Sequence, residues 1–173
     1  MHLALVGLPG SGKTTTGRRV AKVLKRPFLD FDQEIERREG KSVAAIFAAH
    51  GEEYFRMLEA KLSEELAKGP PMVLAPGGGW ITRIGSVAGL RARTRIIWLR
   101  VSAEAAVARM GRNVSLRPLL TGPDPVLELR RLESEREAAY GTSDASVNTE
   151  PLTQQEVTDE IARLAAHWGV QVG

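Results

Sequence analysis

The sequence predicts an α/β fold in which a parallel sheet is covered by helices on both faces. Five short apolar segments alternate with segments of helical periodicity, and this alternation is typical of βαβ units. The first strand and the first helix are joined by a glycine-rich turn at residues 7–14, GLPGSGKT. With 173 residues, the chain is long enough for one domain with a full hydrophobic core and too short for two ordinary domains.

The elements follow from hydrophobic periodicity and from the residues that interrupt it. Five strands are predicted at residues 3–6, 27–32, 72–75, 95–99 and 145–148. Helices are predicted at residues 16–24, 33–39, 43–49, 52–67, 103–110 and 126–140, followed by a last helix that ends near residue 167. Hydroxyl side chains cap three of these helices, at Ser42, Ser102 and Thr153. Gly40 and Gly51 mark two helix ends.

Residues 111–125 stand apart, because they have little apolar periodicity and contain several glycines and prolines. At that length the segment is more typical of a functional loop than of a passive connection. It contains Arg117, in the sequence RPLL at residues 117–120. An arginine in a mobile loop can swing over bound phosphates and stabilise charge in a transition state, while the loop excludes water.

Residues 7–14 match the pattern of a phosphate-binding loop, G-x-x-x-x-G-K-[ST], between a predicted strand and a predicted helix. Glycines let the backbone curl with its N–H groups pointing inward, and the helix N-terminus adds a partial positive charge. Lys13 is expected to reach the β- and γ-phosphates of ATP, and the Thr14 hydroxyl is expected to hold Mg²⁺. The predicted nucleotide-binding residues of the loop are Gly10, Ser11, Gly12, Lys13, Thr14 and Thr15.

Composition and charge exclude several classes of protein. The net charge is +3, but most arginines alternate with acids, as on solvated helix faces, so nucleic-acid binding is not expected. No apolar run approaches the ~20 residues that cross a bilayer, and the early first strand leaves no room for a signal peptide. The absence of cysteine excludes disulfides and cysteine-bound metals. The nucleotide site and the missing targeting segment predict a cytoplasmic protein.

Three segments each follow directly on a predicted strand: the phosphate loop, residues 30–32 and residues 77–79. In open parallel sheets, ligands bind outside the carboxyl ends of the strands. We therefore expect these three segments to converge at one edge of the sheet.

Asp30 and Asp32 end the second predicted strand. In an extended segment their side chains would lie on the same side, because side chains alternate with a period of two. Near a magnesium nucleotide, one carboxylate could bind a metal-ligated water and the other could accept a proton from an attacking hydroxyl. A helix N-cap followed by a surface acid is an equally good interpretation of these two residues.

Arg56 and Glu59 are three residues apart, at neighbouring positions on one face of a predicted helix. An ordinary surface ion pair of this kind contributes only ~0.3–0.5 kcal/mol, and the spacing alone favours that interpretation. The functional alternative is an arginine that is held by the glutamate and directed at an anionic substrate, since a guanidinium fork suits a carboxylate.

Gly77, Gly78 and Gly79 follow a buried predicted strand. Three consecutive glycines lose much conformational entropy on folding, and they are typical of a place where a ligand approaches bare backbone N–H groups. A linker is the alternative, but a linker seldom follows a core strand so abruptly, so a binding site is favoured.

Arg136 and Tyr140 lie one turn apart on the helix predicted at residues 126–140, and in isolation both could be surface residues.

Together these residues resemble the shikimate kinase family. The matching motifs are the phosphate loop, D-x-D at residues 30–32, F-R-x-x-E at 55–59, the triple glycine, R-P-L-L at 117–120 and R-x-x-x-Y at 136–140. They occur in the family's order and cover nearly the whole chain. The resemblance implies a three-layer P-loop kinase fold with a five-stranded parallel sheet. It also implies one domain over residues 1–173, with a core at 1–111 and 125–173 and a mobile lid at 112–124.

The resemblance further implies that a monomer transfers the γ-phosphoryl group of ATP to the 3-hydroxyl of shikimate, with Mg²⁺, as a step of aromatic amino acid biosynthesis. On the acceptor side it makes Asp32 the base and a ligand of the shikimate hydroxyls. Arg56 and Arg136 would hold the carboxylate, Glu59 would orient Arg56, and the backbone at residues 77–79 would contact the ring substituents.

On the nucleotide side, the resemblance assigns Lys13 and Arg117 to the transferred phosphoryl group. It places Thr14 on Mg²⁺ and Asp30 in the water shell of that ion. Arg109 is near the position where the family stacks an arginine on adenine.

The chain departs from the family's pattern at three places. Pro76 precedes the triple glycine, the adenine partner could be Arg109 or Arg112, and Leu152 offers no polar side chain where the family closes over adenine. Two alternative functions remain open at this stage. One is another small-molecule kinase of the same fold, acting on gluconate or a nucleoside monophosphate, and the other is a nucleotide-binding regulatory module without catalysis.

Overall fold

A five-stranded parallel sheet forms the centre of the fold. The computed structural model describes residues 1–120 and 122–170, and for residues 84–87 the backbone alone. The strands, in chain order, are β1 (His2–Val6), β2 (Phe28–Asp30), β3 (Val73–Ala75), β4 (Thr94–Arg100) and β5 (Ala145–Asn148). They lie in the order β2-β3-β1-β4-β5, with every neighbouring pair parallel. The predicted parallel sheet is confirmed, and β1 lies at its centre.

Helices connect the strands and cover both faces. They are α1 (Lys13–Val23), α2 (Phe31–Glu39), α3 (Val43–Ala67), α4 (Ile84–Arg91), α5 (Ala103–Met110), α6 (Pro125–Tyr140) and α7 (Gln154–His167). Short 3₁₀ segments lie at Trp80–Arg83, Gly111–Leu116 and Pro118–Leu120. Within the part of the chain that the structure describes, no helix combines the length and the apolar character that crossing a membrane requires.

The core lies in two layers, one on each face of the sheet. Alternate residues of β1 contribute to opposite layers: Leu3 and Leu5 to one, Ala4 and Val6 to the other, all four fully buried. The first layer is completed by residues of α1 and α7, and the second by residues of α2, α3, α5 and α6. A sheet covered on both faces in this way gives the predicted three-layer architecture.

The predicted helix ends are confirmed where side chains or glycines determine them. The hydroxyls of Ser42, Ser102 and Thr153 each accept a hydrogen bond from the backbone N–H three residues ahead. Gly40 ends α2 in the left-handed region. Gly51 has φ 80° and ψ 175°, so α3 is broken there into the two helical stretches that the sequence predicts.

The structure differs from the sequence prediction in several places. Helix α1 begins at Lys13, three residues before its predicted start. Asp32 does not extend the second strand, since β2 ends at Asp30 and Asp32 lies in the first turn of α2. The change occurs because the Asp30 side chain accepts a hydrogen bond from the N–H of Gln33 and so starts the helix two residues early. The 3₁₀ turn Trp80–Arg83 and α4 form in a segment for which no element is predicted from the sequence. The single-domain organisation and the lid at residues 112–124 stay predictions.

Candidate active site

The phosphate loop joins β1 to α1 at the carboxyl edge of the sheet. Gly10 and Gly12 have φ values of 80° and 90°, a region that residues with a side chain rarely adopt. Gly10 has a second constraint, because a Cβ built there would lie 2.5 Å from the backbone oxygen of Ala106. The loop therefore needs glycine at both positions for its conformation, and at Gly10 also for its packing against α5.

Lys13 is the first residue of α1, and its side chain folds back over the loop. Its Nζ donates hydrogen bonds to the backbone oxygens of Gly7, at 3.0 Å, and Leu8, at 2.9 Å. Burial, with a smaller contribution from Arg117, lowers the pKa of Lys13 to about 8, although Asp32 opposes the shift. The lysine is thus a cation whose charge is weakly solvated and available to an anionic ligand.

Thr14 and Asp30 form a pair of oxygen groups beside the loop. The Thr14 hydroxyl donates to Asp30 Oδ2 at 2.5 Å, while Asp30 Oδ1 accepts from the N–H of Gln33 at 3.2 Å. Asp30 is therefore an N-cap and a site residue at the same time. Mg²⁺ takes oxygen ligands and usually keeps one or two protein groups together with waters and phosphate oxygens. The pair fits that requirement, and no group of three or more metal-ligating side chains occurs in the described residues.

Asp32 stands between the two halves of the site. It lines both a cavity of about 540 Å³ beside the phosphate loop and an adjoining cavity of about 550 Å³ beside α3. Arg117 also lines both, and its Nη1 lies 3.6 Å from Asp32 Oδ2. Burial and the neighbouring Asp30 raise the pKa of Asp32, against the opposing effect of Arg117. A carboxylate of raised pKa is a better proton acceptor.

Arg56 lines the second cavity and is held by two glutamates. Its Nη1 donates to Glu59 Oε2 at 2.6 Å, and its Nη2 and Nε contact Glu52 Oε1 at 2.9 and 3.3 Å. The Arg56 and Glu59 side chains are only 9% and 3% exposed. The interpretation as a surface ion pair, which the spacing alone favoured, is therefore wrong. Burial lowers the pKa of Arg56, but the two glutamates outweigh it and the net shift is upward.

Glu59 has one oxygen on Arg56 and a second, buried oxygen that accepts no hydrogen bond within the described part of the chain. Burial raises the pKa of Glu59, although Arg56 opposes the shift. This second oxygen lies close to the first glycine of the triple-glycine turn, since a Cβ on Gly77 would be 2.6 Å from it.

The triple glycine packs directly against the charged side chains of the site. A Cβ on Gly78 would lie 2.9 Å from Arg136 Nη1, and one on Gly79 would lie 2.5 Å from Arg56 Nη2. Any larger residue would displace these guanidinium groups. Within the described residues, the backbone N–H groups of Gly78 and Gly79 donate to no protein acceptor. Glycine is thus required here because a side chain would collide with the two guanidinium groups. The unpaired N–H groups also agree with the ligand contact that the sequence predicts.

Arg136 and Tyr140 lie on α6 and are 6% and 0% exposed. The alternative that they are surface residues is therefore wrong. Arg136 lines the second cavity together with Arg56, so two guanidinium groups reach one pocket from different helices. This pairing of α3 and α6 brings together residues that are 80 positions apart in the sequence.

The cavity beside the phosphate loop is also lined by residues of α5 and of the segment that follows β5. Arg109 donates to the side-chain and backbone oxygens of Thr149, at 2.8 and 3.1 Å. Arg109, Thr149 and Leu152 all line this cavity, whereas Arg112 does not line either one. Of the two predicted adenine partners, Arg109 is thus the one in position, and its contact with the base stays a prediction.

All the predicted segments meet at one edge of the sheet. Loop residues from Gly10 to Thr15, the two aspartates, the triple glycine and the arginines at positions 56, 109, 117 and 136 line the two adjoining cavities. Several contacts of the site are not predicted from the sequence, and Glu52 and Thr149 make two of them. Glu52 binds Arg56 from the preceding turn, for which the i,i+4 spacing was an available signal. Thr149 binds Arg109 across 40 residues, for which no local signal exists.

Comparison with known proteins agrees with this geometry. The family model described as shikimate kinase matches residues 9–166. The chain belongs to the shikimate kinase family. A shikimate kinase of Nitrobacter winogradskyi is 42% identical over 162 residues, which cover 94% of this chain and 75% of that protein.

Solved structures of the family and of its neighbours show the same fold. A shikimate kinase from Acinetobacter baumannii, in complex with shikimate, superposes with a TM-score of 0.90 at 35% identity and covers 96% of this chain and 93% of its own. A gluconokinase from Sinorhizobium meliloti has a TM-score of 0.63 at 21% identity, covering 99% and 97% of the two chains. The gluconokinase likeness shows a shared fold alone. The shikimate kinase family membership thus rests on sequence and structure together.

Proposed function

We propose that this member of the shikimate kinase family transfers the γ-phosphoryl group of ATP to the 3-hydroxyl of shikimate, giving shikimate 3-phosphate and ADP. One observation carries the choice of acceptor: two largely buried arginine side chains, Arg56 and Arg136, line a cavity that adjoins the phosphate loop. A small carboxylic acid that also carries hydroxyls matches this arrangement, because the arginines can bind the carboxylate while Asp32 is left for the hydroxyls.

On the acceptor side, Arg56 and Arg136 hold the carboxylate of shikimate. The free N–H groups of Gly78 and Gly79 donate to oxygen atoms on the ring. Asp32 binds the reacting hydroxyl and, with its raised pKa, accepts the proton of that hydroxyl as the oxygen attacks phosphorus. Glu59 keeps Arg56 oriented through the 2.6 Å ion pair.

On the nucleotide side, the N–H groups of the loop from Gly10 to Thr15 surround the phosphates. Lys13 and Arg117 offset the charge on the transferred group, and Arg109 contacts the adenine. Thr14 and Asp30 would hold Mg²⁺, Thr14 directly and Asp30 through water. The ion would supply charge neutralisation on the phosphates.

The reaction needs positioning and charge stabilisation more than covalent participation of the protein. A bond forms between the 3-oxygen of shikimate and the γ-phosphorus, and the bond from that phosphorus to the β–γ bridging oxygen breaks. The hydroxyl proton passes to Asp32, and ADP leaves with the bridging oxygen. Lys13 and Arg117, which line the cavity beside the phosphate loop, stabilise the negative charge that develops during the transfer.

A substrate panel tests the proposal. ADP release is measured with ATP and with shikimate, gluconate or AMP as acceptor, at equal concentrations. The expected result is turnover on shikimate at least ~10²-fold above the other two, because neither alternative places a carboxylate and a ring hydroxyl at the same spacing. Equal or greater turnover on gluconate or AMP would assign the chain to another kinase activity of this fold. Tight ATP binding with no transfer to any acceptor would indicate a regulatory module.

We further propose that the protein acts as a monomer and that residues 112–124 close over the bound substrates. Arg117 supports the second point, because it is contributed by that segment and lies against Asp32 in the wall of both cavities. Light scattering coupled to gel filtration tests the monomer, and a dimer mass at micromolar concentration would contradict it.

A further inference from the structure

Tyr140 is a fully buried residue at the end of α6 that the mechanism above does not use. Its ring stacks on Trp98 of β4, with centroids 5.4 Å apart and planes at 23°. Its hydroxyl donates a hydrogen bond of 2.8 Å to the backbone oxygen of Gly78. The side chain therefore connects the middle of the sheet to the centre of the triple-glycine turn.

The three glycine carbonyls all accept hydrogen bonds from the protein. The oxygen of Gly77 accepts from the N–H of Trp80 at 3.0 Å. The oxygen of Gly79 accepts from the N–H and the hydroxyl of Thr82, at 3.2 and 2.7 Å. Tyr140 supplies the donor for the remaining carbonyl, that of Gly78. The N–H groups of Gly78 and Gly79 have no such partner within the described residues, so the protein fixes the acceptors of the turn and leaves these donors open.

The orientation of one donor follows from the Tyr140 contact. The carbonyl of Gly78 and the N–H of Gly79 belong to the same peptide unit, which is planar and trans. In a trans peptide the C=O and the N–H point in opposite directions. A hydroxyl that holds the Gly78 oxygen toward α6 therefore directs the Gly79 N–H away from α6. Gly79 lines the acceptor cavity and Tyr140 does not.

We propose that Tyr140 is a positioning residue, whose hydroxyl fixes the peptide between Gly78 and Gly79 so that its N–H is presented to the acceptor. The inference rests on the proposed function for the identity of that acceptor. Burial raises the pKa of Tyr140, so its hydroxyl stays protonated and able to donate over the working pH range. Glycine at both positions makes this hydrogen bond more important, because an unrestrained glycine peptide can rotate freely.

The chain offers a matched pair of variants, because it contains two tyrosines and both hydroxyls donate hydrogen bonds. Tyr140→Phe removes the bond to Gly78, together with the contact that the hydroxyl makes with Arg136, and it keeps the ring on Trp98. Tyr54→Phe removes a bond of 3.2 Å to Glu39, at a position that lines neither cavity. Both changes delete one oxygen, so a general effect of losing a hydroxyl appears in both proteins.

Steady-state kinetics separate a role of Tyr140 at the acceptor site from a general structural one. Tyr140→Phe is expected to raise the KM for shikimate about 3- to 10-fold, as expected when one net hydrogen bond is lost, with the KM for ATP within about twofold of wild type. Tyr54→Phe should leave both constants unchanged. A Tyr140→Phe enzyme with an unaltered KM for shikimate, or with both KM values raised equally, would overturn the proposal.

A second measurement follows the turn directly, in protein labelled with ¹⁵N-glycine. In wild type, shikimate should shift the Gly78 and Gly79 amide resonances. In Tyr140→Phe the Gly79 resonance should already be shifted or broadened without ligand, while the glycines at positions 10, 12 and 17 of the loop and α1 keep their wild-type shifts. A wild-type Gly79 resonance in the variant would overturn the proposal, even if the variant were too unstable for kinetics. If wild type failed to phosphorylate shikimate, the proposed function would fail while this readout still tested the hydrogen bond.

Discussion

At the scale of single residues, the site depends on charged groups that are held where water solvates them poorly. Lys13 is the clearest case, since burial lowers its pKa to about 8 from an ordinary value of 10.5. A weakly hydrated cation interacts more strongly with phosphate than a fully hydrated one does. The same burial makes its charge sensitive to pH in a range where an exposed lysine would remain protonated.

The pKa of Lys13 predicts an alkaline limb in the kinetics. Above pH 8 the free enzyme loses the Lys13 proton, so kcat/KM for ATP should fall by about tenfold per pH unit. Once ATP is bound, its negative phosphates favour the protonated lysine, so the limb in kcat should lie at higher pH. The profile of kcat/KM for shikimate at saturating ATP is the internal control, because it also reports the ATP-bound enzyme. A kcat/KM profile for ATP that stays flat to pH 10 would contradict this role.

Removal of the lysine charge is a more direct test. Lys13→Met should lower turnover by at least ~10²-fold, as the loss of a preorganised electrostatic donor typically does. The readout is ADP release under saturating substrates, with Lys68→Met, at an exposed position beyond α3, as the control. Near-normal turnover of the Lys13 variant would exclude the lysine from stabilising the transferred group.

Arg56 tests the shape of the anion site as distinct from its charge. Arg56→Lys keeps a cation but loses the planar fork and its contacts with Glu52 and Glu59, so shikimate should bind at least ~10-fold more weakly. ATP affinity should survive. Calorimetric titration with each ligand measures both, and Arg83→Lys is the control, since Arg83 has an exposed ion pair with Glu53 outside both cavities. A selective loss of ATP affinity would count against the assignment.

At the scale of elements, the sequence predicts best those features that local chemistry determines. The strand, turn and helix around residues 7–14, the three hydroxyl caps and the break at Gly51 depend on a few neighbouring residues, and all are confirmed. The predicted boundary between β2 and α2 was wrong because the Asp30 side chain has two partners, and only one of them is local. Gln33 is three residues away, whereas Thr14 is distant in the sequence. The burial of Arg56 could not be predicted either, because it depends on the distant glycine turn that packs on the guanidinium group.

The glycine turn gives a prediction that depends on packing alone. Gly79 has no positive φ, so the backbone would accept alanine, but the new Cβ would lie 2.5 Å from Arg56 Nη2. Gly79→Ala should therefore displace Arg56 and raise the KM for shikimate by at least ~10-fold, with a smaller effect on the KM for ATP. Gly89→Ala in α4 is the matched control, because its nearest neighbour would be 3.7 Å away. That control should be neutral or should stabilise the protein by ~0.5–1 kcal/mol in a denaturant titration. If the two alanine variants had the same KM for shikimate, packing against Arg56 would not explain the glycine.

At the scale of the whole molecule, the parallel topology brings distant residues to one edge. The central strand supplies the phosphate loop, β2 and β3 supply the aspartates and the glycines on one side, and β4 leads through α5 to Arg109 on the other. The site thus has two halves, a nucleotide half beside the phosphate loop and an acceptor half beside α3. Residues 112–124 follow α5 and contribute Arg117 to the wall of both halves. A segment in this position can close on both ligands at once, which is the reason to treat it as the lid.

Limited proteolysis tests the lid, because trypsin has one favourable bond within it. Arg112 is exposed and is followed by Asn113, whereas Arg117 is followed by Pro118 and resists trypsin. Closure should protect the Arg112 bond, so its cleavage should slow about 5- to 10-fold when ADP and shikimate are both present, and less with either alone. The bond after Lys68, at an exposed turn outside both cavities, is the control within the same digest. Equal protection of both bonds would indicate general stabilisation by ligand, and no protection of the Arg112 bond would show that the segment does not close. Protection that is confined to this bond and is greatest with both ligands present is the result expected of a segment that closes on both.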